Sequence, residues 1–538
     1  MKPSVLFVAA EAVPLAKTGG LGDAVSGLAN ALQQRGVDVT VLIPAYPGAI
    51  AAAASLRKLG KIRALAGDDC PARLLLGRIP GSEVKLALLD SEVLYKRPGN
   101  LYSDDTGRNF DDNGKRFAAL CGAAAQIAAG NTPLDTPHVV HAHDWHAGLT
   151  PMLMRELGVK TPSIQTIHNL AFQGVFPMDQ ADSLGIPVSA RHAEGVEFWG
   201  KISYLKAGIN YADRITTVSR SYAREVLTPR FGHGLDGVLR MHSEKFRAIP
   251  NGIDAQIWNP AGDSYLPQRY SASERHGKSI CKQALQRTFG LALDPDAALI
   301  THGSRLTGQK MADIAVGALR LILEENPRVQ VAVLGCGELQ IENDFNALAR
   351  QYPGRVGVHI GYDEELAHLL HGGADMLLHG SRFEPFGLTP VYAMHYGTVP
   401  IVSRVGGMMD TVRDLGTAGA TGFLFDGEHI IDMARAIRRA LQVFSQPALW
   451  QTLQNNGMRT EFSWVSPAKE YLSLYGRLTK GVIQQAFLNS ALEQDAEIPT
   501  EVPQNTAAPA RKPTKVPRVP VVRLPAAGQP IFAEMKPA

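Results

Sequence analysis

A lysine and an aspartate flank a pair of glycines near the start of the chain, in the stretch Lys17-Thr18-Gly19-Gly20-Leu21-Gly22-Asp23. An apolar run typical of a buried strand precedes this loop, and a helical pattern follows it. Adjacent glycines let a ligand approach the backbone, and free N–H groups at a helix N-terminus attract anions. The loop therefore predicts an anion site. Its spacing matches neither a Walker A loop nor the dinucleotide fingerprint, and a glycine turn with a solvated lysine is the alternative.

Two further cations lie in residues 304–310, which follow a predicted strand and open a predicted helix. Arg305 and Lys310 would both lie near that helix N-terminus, where the helix dipole disfavours positive charge. A bound anion would explain their placement, because a guanidinium fork and an ammonium together can hold a diphosphate. The alternative is that both are solvated surface cations.

A carboxylate follows another predicted strand, in the stretch Ser381-Arg382-Phe383-Glu384-Pro385-Phe386-Gly387-Leu388-Thr389. Open α/β sheets place their sites at the carboxyl ends of strands, where this turn would present Glu384. The backbone amides of Gly387, Leu388 and Thr389 could face an anion at the start of the next helix. A carboxylate that only caps this helix is the alternative.

Histidines recur in the run His141-Ala142-His143-Asp144-Trp145-His146, and strand alternation puts His141 and His143 on one face. We expect no metal there, because imidazoles paired with neighbouring groups are commoner than metal ligands. The cysteines are widely separated and predict neither a zinc site nor a disulfide framework. The spacing identifies no Ser-His-Asp or Cys-His set.

Short apolar runs alternate with helical patterns through most of the chain, which predicts an α/β protein with parallel sheets. Asn, Gly and Pro collect over residues 249–267, and a second α/β series begins near Ala298. We therefore expect two domains with a cleft between them, where small-molecule sites concentrate. The predicted segments are residues 1–257 and 258–462 for the domains, 463–490 for a last helix, and 497–538 for a disordered, proline-rich basic tail.

The 538-residue chain is 45% apolar and 20% charged, as soluble proteins are, and its formal net charge is +3. Residues 500–538 hold six Lys or Arg and two Glu, a contribution of +4, so the rest of the chain carries −1. This balance gives no case for nucleic-acid binding. No apolar run reaches the ~18 residues of a membrane span. The chain enters a predicted strand at once, with no leader-like segment, so we expect a cytoplasmic protein.

Seven stretches, taken in order, resemble the bacterial glycogen synthases and plant starch synthases, the retaining glycosyltransferases of family 5 with the GT-B fold. Besides the three loops described first, they are residues 141–149, 166–174, 222–225 and 251–254. The resemblance covers about residues 1–480. It implies two Rossmann-like, doubly wound domains that face a cleft, with a C-terminal helix that crosses back to the N-terminal domain.

The resemblance also implies an activity, the transfer of glucose from ADP-glucose or UDP-glucose to the non-reducing end of an α-1,4-glucan such as glycogen, with retention. No metal and no cofactor is implied. A GT-B glucosyltransferase with another donor or acceptor is one alternative, and a non-catalytic glucan-binding homologue is another. The oligomeric state stays open.

By the same resemblance, Lys17, Arg305 and Lys310 match residues that hold the diphosphate, and Tyr362 matches an aromatic that stacks on the base. Asp23, His168, Asn251 and Glu384 match residues that surround the donor glucose, and Asp144 matches another active-site carboxylate. The implied catalytic residues are Glu384, His168, Arg305 and Lys310, and the implied substrate-binding residues are Lys17, Gly19, Gly20, Asp23, Asp144, Asn251, Tyr362, Gly387, Leu388 and Thr389.

Some residues depart from the family pattern, namely Gly22, Met311, His379, Gly380, Phe386 and Pro390. Met311 stands where the family usually has Gly, and His379 where it usually has an apolar residue. All the charged residues of the motifs remain, so we expect activity to be retained. Phe386 and Pro390 lie beside Glu384, where they can affect rate and donor preference.

Overall fold

The computed structural model describes residues 2–62 and 71–492, so the predicted tail over residues 497–538 lies outside the described residues. Strands and helices alternate through this part of the chain and build two separate, mainly parallel sheets. This architecture confirms the predicted α/β class with two doubly wound units.

The first sheet and a small accessory sheet use the strands of the first half of the chain. These strands are β1 (Ser4–Val8), β2 (Asp38–Pro44), β3 (Ala54–Ile62), β4 (Ala72–Arg78), β5 (Lys85–Asp90), β6 (Val139–His143), β7 (Ser163–Ile167), β8 (Val175–Pro177), β9 (Glu197–Phe198), β10 (Lys201–Ser203), β11 (Arg214–Thr217) and β12 (Phe246–Ala248). Among the described residues, nine strands form the first sheet in the order β12-β11-β7-β6-β1-β2-β5-β4-β3. The strands from β12 to β5 are parallel, and β4 and β3 are added antiparallel at one edge.

The helices of the first half connect these parallel strands. They are α1 (Gly20–Gln34), α2 (Pro47–Ala52), α3 (Glu92–Tyr95), α4 (Asn113–Ala128), α5 (Thr150–Glu156), α6 (Tyr204–Tyr211), α7 (Arg220–Glu225) and α8 (Asp236–Met241). From β1 the chain runs through α1 to β2. From β6 it runs through α5 to β7, in the opposite direction along the strand order. A crevice therefore opens between the carboxyl ends of β1 and β6, at the point where the strand order reverses.

The second sheet repeats this arrangement with the strands β13 (Ala298–Gly303), β14 (Val329–Gly335), β15 (Val356–Ile360), β16 (Met376–His379), β17 (Val399–Ser403) and β18 (Phe423–Phe425). In the described part of the chain, six parallel strands take the order β15-β14-β13-β16-β17-β18, so the order reverses between β13 and β16. The helices are α9 (His276–Thr288), α10 (Ala312–Glu325), α11 (Leu339–Gln351), α12 (Glu364–Gly373), α13 (Leu388–His395), α14 (Met408–Thr411), α15 (Ile430–Phe444) and α16 (Pro447–Met458).

The last helices, α17 (Val465–Leu478) and α18 (Gly481–Leu492), return to the first sheet. Tyr475 of α17 is fully buried, and its hydroxyl lies 2.9 Å from Nδ1 of His141 on β6. Just before α17, Trp464 packs so closely on Gly27 of α1 that a Cβ at Gly27 would lie 2.0 Å from the indole nitrogen. The predicted crossing of the C-terminal helix is confirmed. Within residues 2–62 and 71–492, no helix is long and apolar enough to span a bilayer.

Candidate active site

The two strand-order reversals face each other across the cleft, and their loops touch. Gly20 begins α1 after β1, and Leu388 begins α13 after β16. A Cβ at Gly20 would lie 2.9 Å from Cδ1 of Leu388. The glycine therefore permits this close approach between the two halves of the chain. Thr389 lies in the same first turn of α13, and Gly387 precedes that helix with a φ of +88°, which favours glycine.

Lys17 reaches from the first loop to residues of both halves. Its Nζ lies 3.1 Å from Oδ1 of Asp23 and 4.0 Å from Oε2 of Glu364, which begins α12 in the second half. The same atom lies 5.8 Å from the centre of the Tyr362 ring, which is 58% exposed. Burial alone would lower the pKa of Lys17, but the neighbouring charges outweigh it and raise the pKa. The ammonium therefore stays charged in the cleft.

A carboxylate that the sequence analysis did not single out holds the first loop in place. Glu11 is only 3% exposed and accepts hydrogen bonds from N and Oγ1 of Thr18, at 2.8 and 2.6 Å, and from N of Gly19, at 3.4 Å. The hydroxyl of Tyr102 donates to it at 2.6 Å. Glu11 is the only charged residue within residues 4–16, and this isolated charge is the sequence feature that could have identified it.

The second loop region contains a buried ion pair between Lys310 and Glu384. Oε2 of Glu384 also accepts a hydrogen bond from Oγ of Ser381 at 2.8 Å and lies 3.3 Å from Nε2 of His379. Burial alone would raise the pKa of Glu384, but Lys310 and His379 hold it well below its usual range. Glu384 is therefore an ionised carboxylate at the carboxyl end of β16.

Arg305 lies in the same loop region as this pair, although among the described residues it forms no hydrogen bond or ion pair with Lys310 or Glu384. Its guanidinium donates to Oε1 of Gln309 at 2.9 Å. Burial lowers the pKa of Arg305, whereas the negative charges of Glu384 and of Glu11, from the first half, act to raise it. Arg305 is thus a cation that interacts electrostatically with acidic groups from both halves of the chain.

A third group lies at the carboxyl ends of β6 and β7. Asp144 has a φ of +58°, a strained backbone conformation for a residue other than glycine. Its Oδ1 accepts hydrogen bonds from the backbone N–H groups of His168, at 3.0 Å, and Asn169, at 3.2 Å. Burial raises the pKa of Asp144 to about 7, despite these bonds. Burial also lowers the pKa of His168 to about 3, so its imidazole is neutral.

Asn251 follows β12, between the two halves, and its backbone N–H donates to the carbonyl oxygen of Val218 at 3.1 Å. Hydrogen bonds join the halves nearby. Oγ of Ser219 donates to the carbonyl oxygen of Pro385 at 2.6 Å, and N of Gly406 donates to Oε1 of Glu225 at 2.8 Å. The first bond reaches the residue next to Glu384.

The histidines of β6 are paired with other side chains. His141 bonds Tyr475 and Thr166, and Nδ1 of His143 lies 3.0 Å from Nε2 of His168. Within the part of the chain that the structure describes, no three His, Cys, Asp or Glu side chains converge as metal ligands would.

Comparison with known proteins identifies relatives over nearly the whole chain. The family model of the starch synthase catalytic domain matches residues 4–241, and that of glycosyl transferases group 1 matches residues 287–448. The chain is 52% identical to a glycogen synthase of Bordetella bronchiseptica over 88% of this chain and 95% of that one. It is 49% identical to a glycogen synthase of Ralstonia nicotianae over 99% and 98%, respectively.

Solved structures share the fold. The catalytic domain of starch synthase IV from Arabidopsis thaliana, bound to ADP and acarbose, superposes with a TM-score of 0.81 at 29% identity, over 89% of this chain and 99% of that one. A sucrose-phosphate synthase from Thermosynechococcus elongatus matches with a TM-score of 0.57 at 19% identity over the same shares, a likeness of fold alone. The predicted GT-B fold is confirmed.

The raised pKa of Asp144 predicts how stability depends on pH. The folded protein binds a proton at Asp144 between about pH 4 and pH 7 that the unfolded chain releases, so this carboxyl destabilises the fold increasingly as pH rises through that window. Asp144→Asn keeps an oxygen for the two backbone N–H groups and cannot ionise. We expect Asp144→Asn to gain more stability over the wild type at pH 8 than at pH 5, as measured by urea unfolding. Equal differences at both pH values would contradict the raised pKa.

Proposed function

The chain belongs to the family of glycogen synthases and starch synthases, and we propose that it elongates an α-1,4-glucan with glucose from ADP-glucose, with retention of configuration. The observation that carries this proposal is the identity of about half of all residues to glycogen synthases, extending over 99% of the chain in the Ralstonia relative. The charged residues at both strand-order reversals supply the chemistry that the reaction needs.

Stabilising the departing nucleoside diphosphate is the main chemical requirement, because that group takes negative charge as the glycosidic bond breaks. We assign Lys17, Arg305 and Lys310 to the diphosphate. In a closed cleft that excludes water, each preorganised donor of this kind contributes about 3 kcal/mol. The exposed ring of Tyr362, beside Lys17, is suited to stack on the base. The ADP bound to the starch synthase IV structure supports adenine as this base.

Residues on the sugar side are assigned to position the donor glucose and stabilise an oxocarbenium-like state. The ionised Glu384 comes from the second half of the chain and the neutral His168 from the first. We assign Asp23 and Asn251 to the donor glucose as well, and Asp144 as a further active-site carboxylate. Departure of the diphosphate needs no general acid, since this group leaves as a stable anion. Glycosidases, in contrast, must protonate their leaving group. The backbone amides of Gly387, Leu388 and Thr389 are assigned to the donor as well. Gly19 and Gly20 are assigned to the close approach of the donor to the backbone.

We also propose the division into residues 1–257, 258–462 and 463–490. Its support is the gap between β12, which ends at Ala248, and β13, which begins at Ala298, together with the return of α17 to the first sheet. Movement of the two domains would open and close the cleft around the donor.

A donor assay separates the proposal from its alternatives. We expect incorporation of labelled glucose into glycogen with a higher kcat/KM for ADP-glucose than for UDP-glucose, and with no loss in EDTA. A higher kcat/KM for UDP-glucose would contradict the donor assignment. No transfer from either donor, together with retained glycogen binding, would favour the non-catalytic homologue.

Removing either member of the buried ion pair tests the assigned roles. We expect Glu384→Ala and Lys310→Ala each to lower kcat by at least ~100-fold, because each removes one strong transition-state interaction. The exposed pair of Lys96 and Glu92, 3.5 Å apart, provides matched controls, and Lys96→Ala and Glu92→Ala should leave kcat unchanged. Melting temperatures confirm folding. Near-normal glucan synthesis by either folded test variant would refute its role.

A further inference from the structure

Two histidines share a short contact at the edge of the cleft. Nδ1 of His143, on β6, lies 3.0 Å from Nε2 of His168, which follows β7. His143 is 1% exposed, whereas His168 is only partly buried. No other hydrogen-bond partner of either imidazole is present among the described residues. The contact therefore decides where both rings carry their protons.

The surroundings of His143 leave its second nitrogen without a partner. His141 stacks on the ring of His143 with 4.1 Å between ring centres, but the two nitrogens of His141 are used by Tyr475 and Thr166. Phe7 packs on the ring at 4.8 Å. Nε2 of His143 is buried and, in the described part of the chain, has neither a donor nor an acceptor.

Both imidazoles are neutral, since burial lowers the pKa of each. Each ring then carries one proton, and one N–H lies between the rings. If His168 donated from Nε2, His143 would carry its proton on Nε2, as a buried N–H with no acceptor. If His143 donates from Nδ1, its Nε2 is only an unused lone pair. A buried unsatisfied N–H is the rarer and costlier state.

We propose that His143 is a positioning residue that donates from Nδ1 to Nε2 of His168 and so fixes His168 as the Nδ1–H tautomer. His168 then offers a hydrogen-bond donor towards the cleft and has no free lone pair there. The ligand of His168 then follows from the proposed function, on which this step rests. It is an uncharged oxygen of the donor glucose, which accepts the hydrogen bond. His168 cannot act as a base in this arrangement.

The tautomer is measured directly on the ligand-free wild type, so the result does not depend on activity. Two-bond ¹H–¹⁵N correlation spectra of ¹⁵N-histidine-labelled protein at pH 7 distinguish the two neutral tautomers and the imidazolium. Signals that disappear in His168→Asn identify His168. We expect protonated Nδ1 and unprotonated Nε2 at His168. Protonated Nε2, or a doubly protonated ring, would overturn the proposal.

A matched pair of variants tests the role in catalysis. His143→Asn keeps an N–H donor near the position of Nδ1, and His143→Leu has a similar branched shape without a donor. We expect His143→Asn to keep kcat close to wild type and His143→Leu to lower kcat about ten-fold, as the loss of one oriented hydrogen bond predicts. Equal losses in both variants would mean that His143 only fills space, and a wild-type kcat in His143→Leu would remove its role. If a variant does not fold, the wild-type spectrum alone decides.

Discussion

The ion pair between Lys310 and Glu384 is the interaction on which the cleft depends. Both side chains are about nine-tenths buried, and a buried charge is tolerated only when it is paired and hydrogen-bonded. Ser381 and His379 complete the shell of Glu384, so its carboxylate is fixed and ionised. In the proposed function, a carboxylate fixed in this way would need no reorganisation when positive charge develops on the donor glucose.

The need to pair buried charges also bears on the contact between the two halves of the chain. Lys17 projects from the first half into the cleft and finds part of its counter-charge in Glu364 of the second half. Glu225 of the first half accepts from the backbone of Gly406, and Ser219 donates to the residue after Glu384. Lys17 thus meets a carboxylate of the second half, and hydrogen bonds to the backbone join the halves beside Glu384.

The sequence predicted the placement of those charged residues that depends on local order along the chain. A strand followed by a loop and a helix places Lys17, Lys310 and Glu384 near carboxyl ends of strands. This placement does not depend on which strands pair with each other. It could not predict contacts between residues distant in sequence, such as Glu11 with Tyr102, or His141 with Tyr475 of the returning helix. The antiparallel strands β3 and β4 also escaped prediction, because pairing direction depends on tertiary contacts rather than on periodicity.

Binding of ADP by titration calorimetry to the wild type, Lys17→Ala, Lys310→Ala and the double variant tests the central claim, that cations from both halves hold one diphosphate. Loss of a charge-assisted hydrogen bond predicts a Kd raised about ten-fold or more in each single variant. The two effects should not add in the double variant, because both cations act on the same group. An unchanged Kd for ADP in Lys17→Ala would contradict the account, since the first half would then not contribute to the diphosphate site.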